Sequence, residues 1–276
     1  MGRSDRGLVA VIKQQAFVDE SRTQDTDPLT VVGGYVFTPD AAEGFQNTWS
    51  ERLRPLASKG IACFHAAPCA ANDDEFLNLN YAERISLFRD LVDLTRKTAV
   101  FGFVAEVEDS VYKSWRQGNP TVNSLVGSKY AACCLQSFML LNEHLEDKKQ
   151  LHYFFERIGE TKEKRHPFDK ERDDLMGAIE ANDRLSRTFR YGGYSRLPKG
   201  EMHALEAADL LVWTYSSRKE KPTEYTRIAR GLFAKDGPAH VYSPVTPMSL
   251  TFIALLNDEH GIRENTYAGR IRIFKV

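Results

Sequence analysis

The sequence predicts an α/β protein in which a mixed β-sheet carries helices on both faces. Two observations lead there. Short apolar runs with strand character alternate with longer segments of helical periodicity, in the order hairpin, further strands, helix, strand, helix, strand, helix. Several carboxylates also stand at the ends of those apolar runs, on faces that otherwise read as core, and open α/β sheets place their sites at such strand ends.

The elements follow in order. Residues 11–19 (VIKQQAFVD) read as a strand ending in acid, and residues 29–37 (LTVVGGYVF) as a second, with turn residues Ser21–Pro28 making the hairpin. Pro39 opens a helix to about Leu56, its Phe45, Trp49, Leu53 and Leu56 at helical spacing. Ile61–His65 is expected as a short third strand. After the polar loop Asn72–Glu75 a helix is expected near Tyr81–Arg96, and Thr98–Val107 has strand character. The segment Ser124–Glu146 reads as a helix apolar almost all round, hence buried on several sides. Leu151–Ile158 is strand, a helix ends near Asn182, Thr188–Tyr194 is strand, and Met202–Ser217 is a clear helix. The expected core is about residues 11–217 of one domain spanning 1–276. Residues 222–276, with Pro238, Pro244 and Pro247 and an alternating end at Arg270–Phe274, read as a C-terminal elaboration of it.

Composition excludes more than it identifies. The 276 residues are 42% hydrophobic and 27% charged, ordinary for a globular chain with one large core. Lys and Arg number 37 against 38 Asp and Glu, so a surface for nucleic acid must be local. No apolar run reaches the ~20 residues that span a bilayer. The first six residues, Met1 to Arg6, lack the apolar core of a secretory signal, and Arg6 stands where a myristoylation motif wants Ser or Thr. A cytoplasmic protein without membrane contact is therefore expected. In a reducing compartment Cys63, Cys69, Cys133 and Cys134 read as buried small apolar residues. A zinc site from Cys63, His65, Cys69 and one of the pair would lack the two close-spaced clips of familiar structural sites.

The informative residues are acids at apolar positions. Asp209 shares its helix face with Leu205, Val212 and Trp213, too deep in the helix to cap it. Glu156 lies on the strand face of Phe154 and Ile158, and Asp19 continues the face of Phe17. A buried carboxylate needs compensation. Either each acid pairs privately with Arg or Lys, or the three converge on shared divalent cations; spacing leaves both open. Glu206, three residues before Asp209, is a candidate fourth ligand or water-positioning base, or else a solvated edge residue. Glu20 points to the sheet face opposite Asp19, and it joins the candidate catalytic set as a residue that assists the three ligands from behind them. No G-x-S-x-G elbow or phosphate-binding G-x-x-x-x-G-K-[ST] loop occurs, and Gly33-Gly34 within a strand marks close packing or a bulge.

Four stations together resemble the domain-of-unknown-function family 3800 (DUF 3800): FVDES at 17–21 with VVGGYVF at 31–37, FHA at 64–66, YFFERIG at 153–159 and LEAADLLVW at 205–213. The resemblance implies a ribonuclease-H-like fold. It implies Asp19, Glu156 and Asp209 as ligands of Mg²⁺ or Mn²⁺ for phosphodiester cleavage, that is, a metal-dependent nuclease. His65 then falls near the metal edge, to bind phosphate or shuttle a proton; a hydrogen-bonded structural histidine is the alternative. Two positions depart from the family: Arg22 stands where Gly usually follows DES, and Glu206 where the helix usually has Gln. A rival expectation is a non-catalytic nucleic-acid-binding or protein-interaction component on the same scaffold, for example of a defence or toxin–antitoxin system, with Arg22 replacing metal.

A candidate nucleic-acid stripe runs from Arg184 to Lys199. Arg187, Arg190, Tyr191 and Arg196 are its contact candidates, with Phe189 and Tyr194 interleaved; an exposed strand with snorkelling arginines has the same pattern. Lys162, Lys164, Arg165 and His166 form a second basic loop, diluted by Glu160 and Glu163. DNA, RNA and a nucleotide are all left open as substrate. His203 reads as a surface residue of the first helical turn.

Overall fold

In the computed structural model of the chain, residues 14–21, 27–119, 124–157, 167–219 and 221–256 are described. Arg22, the basic loop at 162–166 and the alternating end at 270–274 lie outside them. The chain folds as an α/β protein around one six-stranded mixed sheet. Strand β1 (Gln14–Ser21) pairs antiparallel with β2 (Leu29–Phe37), the expected hairpin. Helices α1 (Pro39–Leu53), α2 (Ala66–Ala71) and α3 (Tyr81–Thr98) follow, then β3 (Phe101–Glu108), antiparallel to β2. Next come α4 (Asp109–Gly118), α5 (Lys129–His144) and β4 (Leu151–Glu156), parallel to β1. Helices α6 (Pro167–Ala181) and α7 (Asp183–Thr188) lead to β5 (Tyr191–Leu197), parallel to β4. Then α8 (His203–Ser216) and α9 (Glu224–Ala229) precede β6 (Ala239–Pro244), and α10 (Pro247–Leu256) closes the described chain. Strand order across the sheet is β5-β4-β1-β2-β3-β6. The sixth strand thus comes from the C-terminal elaboration and extends the sheet beside β3.

Side-chain alternation divides the core into two layers. Phe17, Val31, Tyr35 and Phe37 face α1, α3 and α8. Ala16, Val18, Val32, Val36, Tyr153 and Phe155 face α5, α6 and α10. Phe17 stacks on Phe154 across the parallel β1–β4 pair, centroids 4.8 Å apart, so the two apolar runs that end in Asp19 and Glu156 share one face. The central strands are closely packed: a Cβ at Gly33 would lie 2.5 Å from the Phe103 carbonyl oxygen, and one at Gly34 1.8 Å from that of Phe17. That is the packing role expected for the glycine pair.

Three local expectations need correction. Ile61–His65 is irregular, not a strand. The Phe64 amide donates to Glu206 Oε2 (2.9 Å) and the Ala66 amide to Asp209 Oδ2 (2.8 Å), so α8 takes the hydrogen bonds that a ladder would need. Helix α4 has no counterpart in the sequence reading, because its short DSVYKSWRQG segment buries only Tyr112 and Trp115. The start of the expected strand at Thr188–Tyr194 belongs to α7, whose Asn182 cap accepts from the Arg184 and Leu185 amides at 3.0 and 3.1 Å.

Candidate active site

Three of the predicted acids converge. The β1–β4 register pairs Val18 with Phe155, which brings Asp19 and Glu156 to neighbouring positions on one face of the sheet. Helix α8 packs over that face and supplies Asp209. Between the three lies the ammonium of Lys199, with Nζ 3.1 Å from Glu156 Oε2, 3.5 Å from Asp19 Oδ2 and 3.8 Å from Asp209 Oδ1. Each acid directs one oxygen at this centre. For two of them a backbone amide holds the other oxygen: Asp19 Oδ1 accepts from the Glu20 amide at 2.9 Å, and Asp209 Oδ2 from that of Ala66. The backbone carbonyl of Glu156 is held by the Arg172 guanidinium on the opposite face.

Lys199 arrives by a tight turn. It stands two residues beyond β5, in a turn where the Glu201 amide donates to the Pro198 carbonyl at 3.2 Å and Gly200 takes φ +89° at the third position. A positive φ there is what glycine supplies without steric cost. The sequence reading counted Lys199 as part of a basic stripe, not as part of the site. The available signal was its place on the short link between the strand beside Glu156 and the helix that carries Asp209.

The electrostatics fit a cation site. Burial pushes the Asp19 carboxyl well above the ordinary aspartate range; Lys199 opposes this, while Asp209, Glu20 and Glu156 add to it. For Lys199, burial disfavours the charge, but Asp19, Asp209 and Glu156 outweigh it and raise the pKa well above the usual lysine value. Asp19 Oδ2 is buried and accepts no hydrogen bond among the described residues. A buried carboxylate oxygen facing the centre, approached by the Lys199 ammonium at 3.5 Å, together with two more carboxylates, is a donor set suited to a hard divalent cation such as Mg²⁺ or Mn²⁺. With all four groups ionised, three acids against one ammonium still leave two formal negative charges.

Glu206 is not part of this cluster. It is wholly buried and fully used: Oε2 accepts from Trp49 Nε1 (2.6 Å) and the Phe64 amide, while Oε1 contacts His203 Nδ1 at 2.7 Å. The reading of Glu206 as ligand or base is therefore corrected. So is the surface reading of His203, which is buried, stacks on Trp49 and bonds Ser50 Oγ through Nε2 at 2.9 Å. Glu20 does face away from Asp19, but it is bound by the buried guanidinium of Arg172, which also reaches Tyr130 Oη (2.6 Å) and Asp169 (3.4 Å). That pairing removes Glu20 from the candidate catalytic set. His65 occupies the N-cap position of α2 without a side-chain capping bond and contacts Glu75 Oε1 through Nδ1 at 2.7 Å, one residue before the amide that holds Asp209.

The basic stripe is largely spent inside the molecule. Arg190 is buried at φ +53° and donates to the carbonyls of Lys149 (2.8 Å), Leu141 (3.4 Å) and Asp147, closing the turn between α5 and β4. Arg196 bridges Asp169 (3.3 Å) and Asp173 (3.1 Å). Tyr194 donates to Asp173 at 2.9 Å and Tyr191 to Glu180 at 3.4 Å. Phe189 is core. Arg187, on the exposed side of α7, bonds the Asp183 carbonyl at 3.1 Å. Arg190 therefore serves as an internal tie, which corrects its reading as a nucleic-acid contact, while Tyr191 and Arg196 are partly exposed and hold acids of α6.

A cavity of about 1120 Å³ lies at the other end of the sheet. It is lined by Tyr215, Arg218, Phe233, His240 and Tyr242 among others, and by none of the three acids. All four cysteines are free thiols. No helix among the described residues is long and apolar enough to cross a membrane. Compared with known protein families, curated proteins and solved structures, the chain has no match.

Proposed function

We propose that the chain is a divalent-metal-dependent phosphodiesterase of the nuclease class on a ribonuclease-H-like scaffold, with Asp19, Glu156 and Asp209 holding Mg²⁺ or Mn²⁺. The observation that carries this reading is the convergence of three carboxylates, from β1, β4 and α8, on one cation-sized position filled by the Lys199 ammonium. Support for the scaffold comes from the mixed sheet and from the stations of the acids: the first strand, a later strand and a helix late in the chain. When bound, the metal would supply an activated water and charge neutralisation at the phosphate. The chain's own residues prepare the place. Amides of Glu20 and Ala66 fix the orientation of Asp19 and Asp209, α8 and β1 exclude water from Asp19, and Lys199 neutralises part of the charge before any ligand arrives. DNA and RNA are both candidate substrates.

Lys199 also favours a second reading. A cation already seated among the acids is what a non-catalytic scaffold of the same fold would use in place of metal, as was expected of Arg22. The deciding experiment is calorimetric titration of Mn²⁺ and Mg²⁺ into the wild type and Asp209→Asn, followed by incubation of both with labelled DNA and RNA. Metal binding and cleavage that vanish together in Asp209→Asn support the enzyme. No binding at millimolar metal would sink it and leave the scaffold reading.

A further inference from the structure

Beside the carboxylate cluster lies a second group of donors with a different chemistry. Among the described residues, Cys63, His65 and Glu75 offer a sulfur, a ring nitrogen and a carboxylate oxygen that all lie within 4.8 Å of one another. The acids around Lys199 do not form so tight a group. We infer that Cys63, His65 and Glu75 form a binding site for a thiophilic divalent transition metal of the Zn²⁺ type, separate from the carboxylate cluster and independent of the proposed phosphodiesterase activity.

The local backbone explains why the three meet. Along residues 61–66, Ile61, Phe64 and Ala66 are buried, Ala62 is exposed, and Cys63 and His65 on either side of Phe64 remain partly exposed. Cys63 lies at a bend and His65 has extended backbone (φ −125°, ψ 123°), and with Phe64 buried between them the Cys63 and His65 donors come within 4.8 Å of each other. The segment is held in that form by α8, since Glu206 takes the Phe64 amide and Asp209 that of Ala66. Glu75 returns over His65 through a tight reversal in which Asn72 (φ +60°) and Asp74 (φ +49°) both adopt left-handed backbone. The donors are thus fixed by contacts that do not depend on a metal.

The donor set selects the ion. Sulfur with imidazole and one carboxylate is a combination that Zn²⁺ and its neighbours accept, whereas Mg²⁺ demands oxygen ligands. Three protein ligands leave a fourth tetrahedral position for water. Ligands about 2.0–2.3 Å from one ion lie roughly 3.5 Å apart, so closure by little more than an ångström suffices. Entry is open, since the His65 and Glu75 side chains are 30% and 23% exposed. In the metal-free protein Cys63 stays a thiol, its pKa pushed up to about 11 by burial and then by Glu206 and Glu75. Binding therefore exchanges the thiol proton for the metal, and the proton leaves to water. Of the zinc set considered from sequence, Cys69 is buried with its pKa pushed up to about 12, and neither it nor Cys133 or Cys134 belongs to the group, in which Glu75 takes part instead.

The test uses Co²⁺, whose bond to thiolate gives a near-ultraviolet charge-transfer band. Co²⁺ titrated into the reduced, metal-free full chain should produce this band at one equivalent, and Zn²⁺ should bleach it. Cys63→Ser, which keeps the other three cysteines, should abolish the band, and Glu75→Gln should weaken Co²⁺ binding about ten-fold or more. Glu156→Gln should leave the band unchanged, because it alters only the carboxylate cluster; that variant therefore separates failure of this site from failure of the proposed catalytic one. Absence of a band in the wild type, or a band that survives Cys63→Ser, overturns the assignment.

Discussion

Lys199 Nζ stands 3.1 Å from Glu156 Oε2, and that ion pair is the inner contact of a four-membered charge cluster completed by Asp19 and Asp209. Three acids from distant parts of the chain cannot share a buried edge unless something offsets their repulsion. Here a lysine on a turn does so, with its aliphatic stem threaded to a position where 11% of the side chain remains exposed. Private pairing and shared cation, the two compensations open from sequence, are thus combined: one ammonium serves all three carboxylates.

Removing that ammonium is the first prediction. Lys199→Met preserves the stem and leaves the carboxylates facing one another. Breaking a buried ion pair from one side costs about 3–5 kcal/mol, so the urea midpoint in metal-free buffer should fall accordingly. Mn²⁺ should restore most of the loss, and its affinity should rise, because no internal cation competes for the acids. A variant that loses no stability in chelator would show that the acids do not depend on Lys199.

The second prediction concerns pH. An ordinary aspartate titrates near about 3.9, and burial holds Asp19 well above its usual value. From that ordinary value up to the native one, the folded chain keeps a proton that the unfolded chain has released. Stability therefore falls as pH rises through this interval and changes no further above it. Glu20, raised by burial against the pull of Arg172, contributes with the same sign. Asp19→Asn should flatten the decline and be more stable than wild type at neutral pH, while losing Mn²⁺ binding. Urea unfolding at a series of pH values decides it; a parallel pair of profiles would mean that the Asp19 proton is not what sets the slope.

How far these features could be read from residue order depended on the period of the pattern. Asp19, Glu156 and Asp209 were legible because each interrupts an apolar alternation or stripe whose face is fixed locally, and the two sheet acids follow the register of Phe17 on Phe154. Lys199 and Glu206 were not. A lysine in a turn has no pattern to violate, and an acid three residues from Asp209 looks the same from sequence whether it meets metal or, as here, Trp49, Phe64 and His203. Ile61–His65 misled because it is a short apolar run like a strand, while α8 carboxylates, not a neighbouring strand, take the amides of Phe64 and of Ala66 just after it. The arginines of the stripe misled for a similar reason: the partners of Arg190 are backbone carbonyls more than forty residues away, invisible to any local pattern.

Glu206 supplies the third prediction. Truncation to alanine strands a buried indole N–H and a buried amide, each worth about 1–3 kcal/mol, so Glu206→Ala should lower stability by several kcal/mol. Glu206→Gln can present its oxygen to Trp49 and Phe64 and its NH₂ to the ring nitrogen of His203, and should stay within about 1.5 kcal/mol of wild type. Mn²⁺ affinity should be unchanged in the glutamine variant. Loss of metal binding there, with stability retained, would return Glu206 to the site.

Arg172 provides the last. It is a buried cation between α5, α6 and the strand ends, paired with Glu20 and Asp169 and donating to the Glu156 carbonyl and the Tyr130 hydroxyl. Its bond to the Glu156 carbonyl ties the opposite face of the sheet to the end of β4, where the catalytic reading needs Glu156 to be fixed. Arg172→Met should cost about 3–5 kcal/mol by leaving Glu20 buried and unpaired. The double variant Arg172→Met/Glu20→Leu removes both charges and should recover much of that loss, since a buried ion pair is often replaceable by apolar groups of similar volume. Mn²⁺ affinity should remain reduced in the recovered double variant, because the tie to Glu156 is still missing. Full recovery of both stability and affinity would show that Arg172 balances charge alone and does not position the strand end.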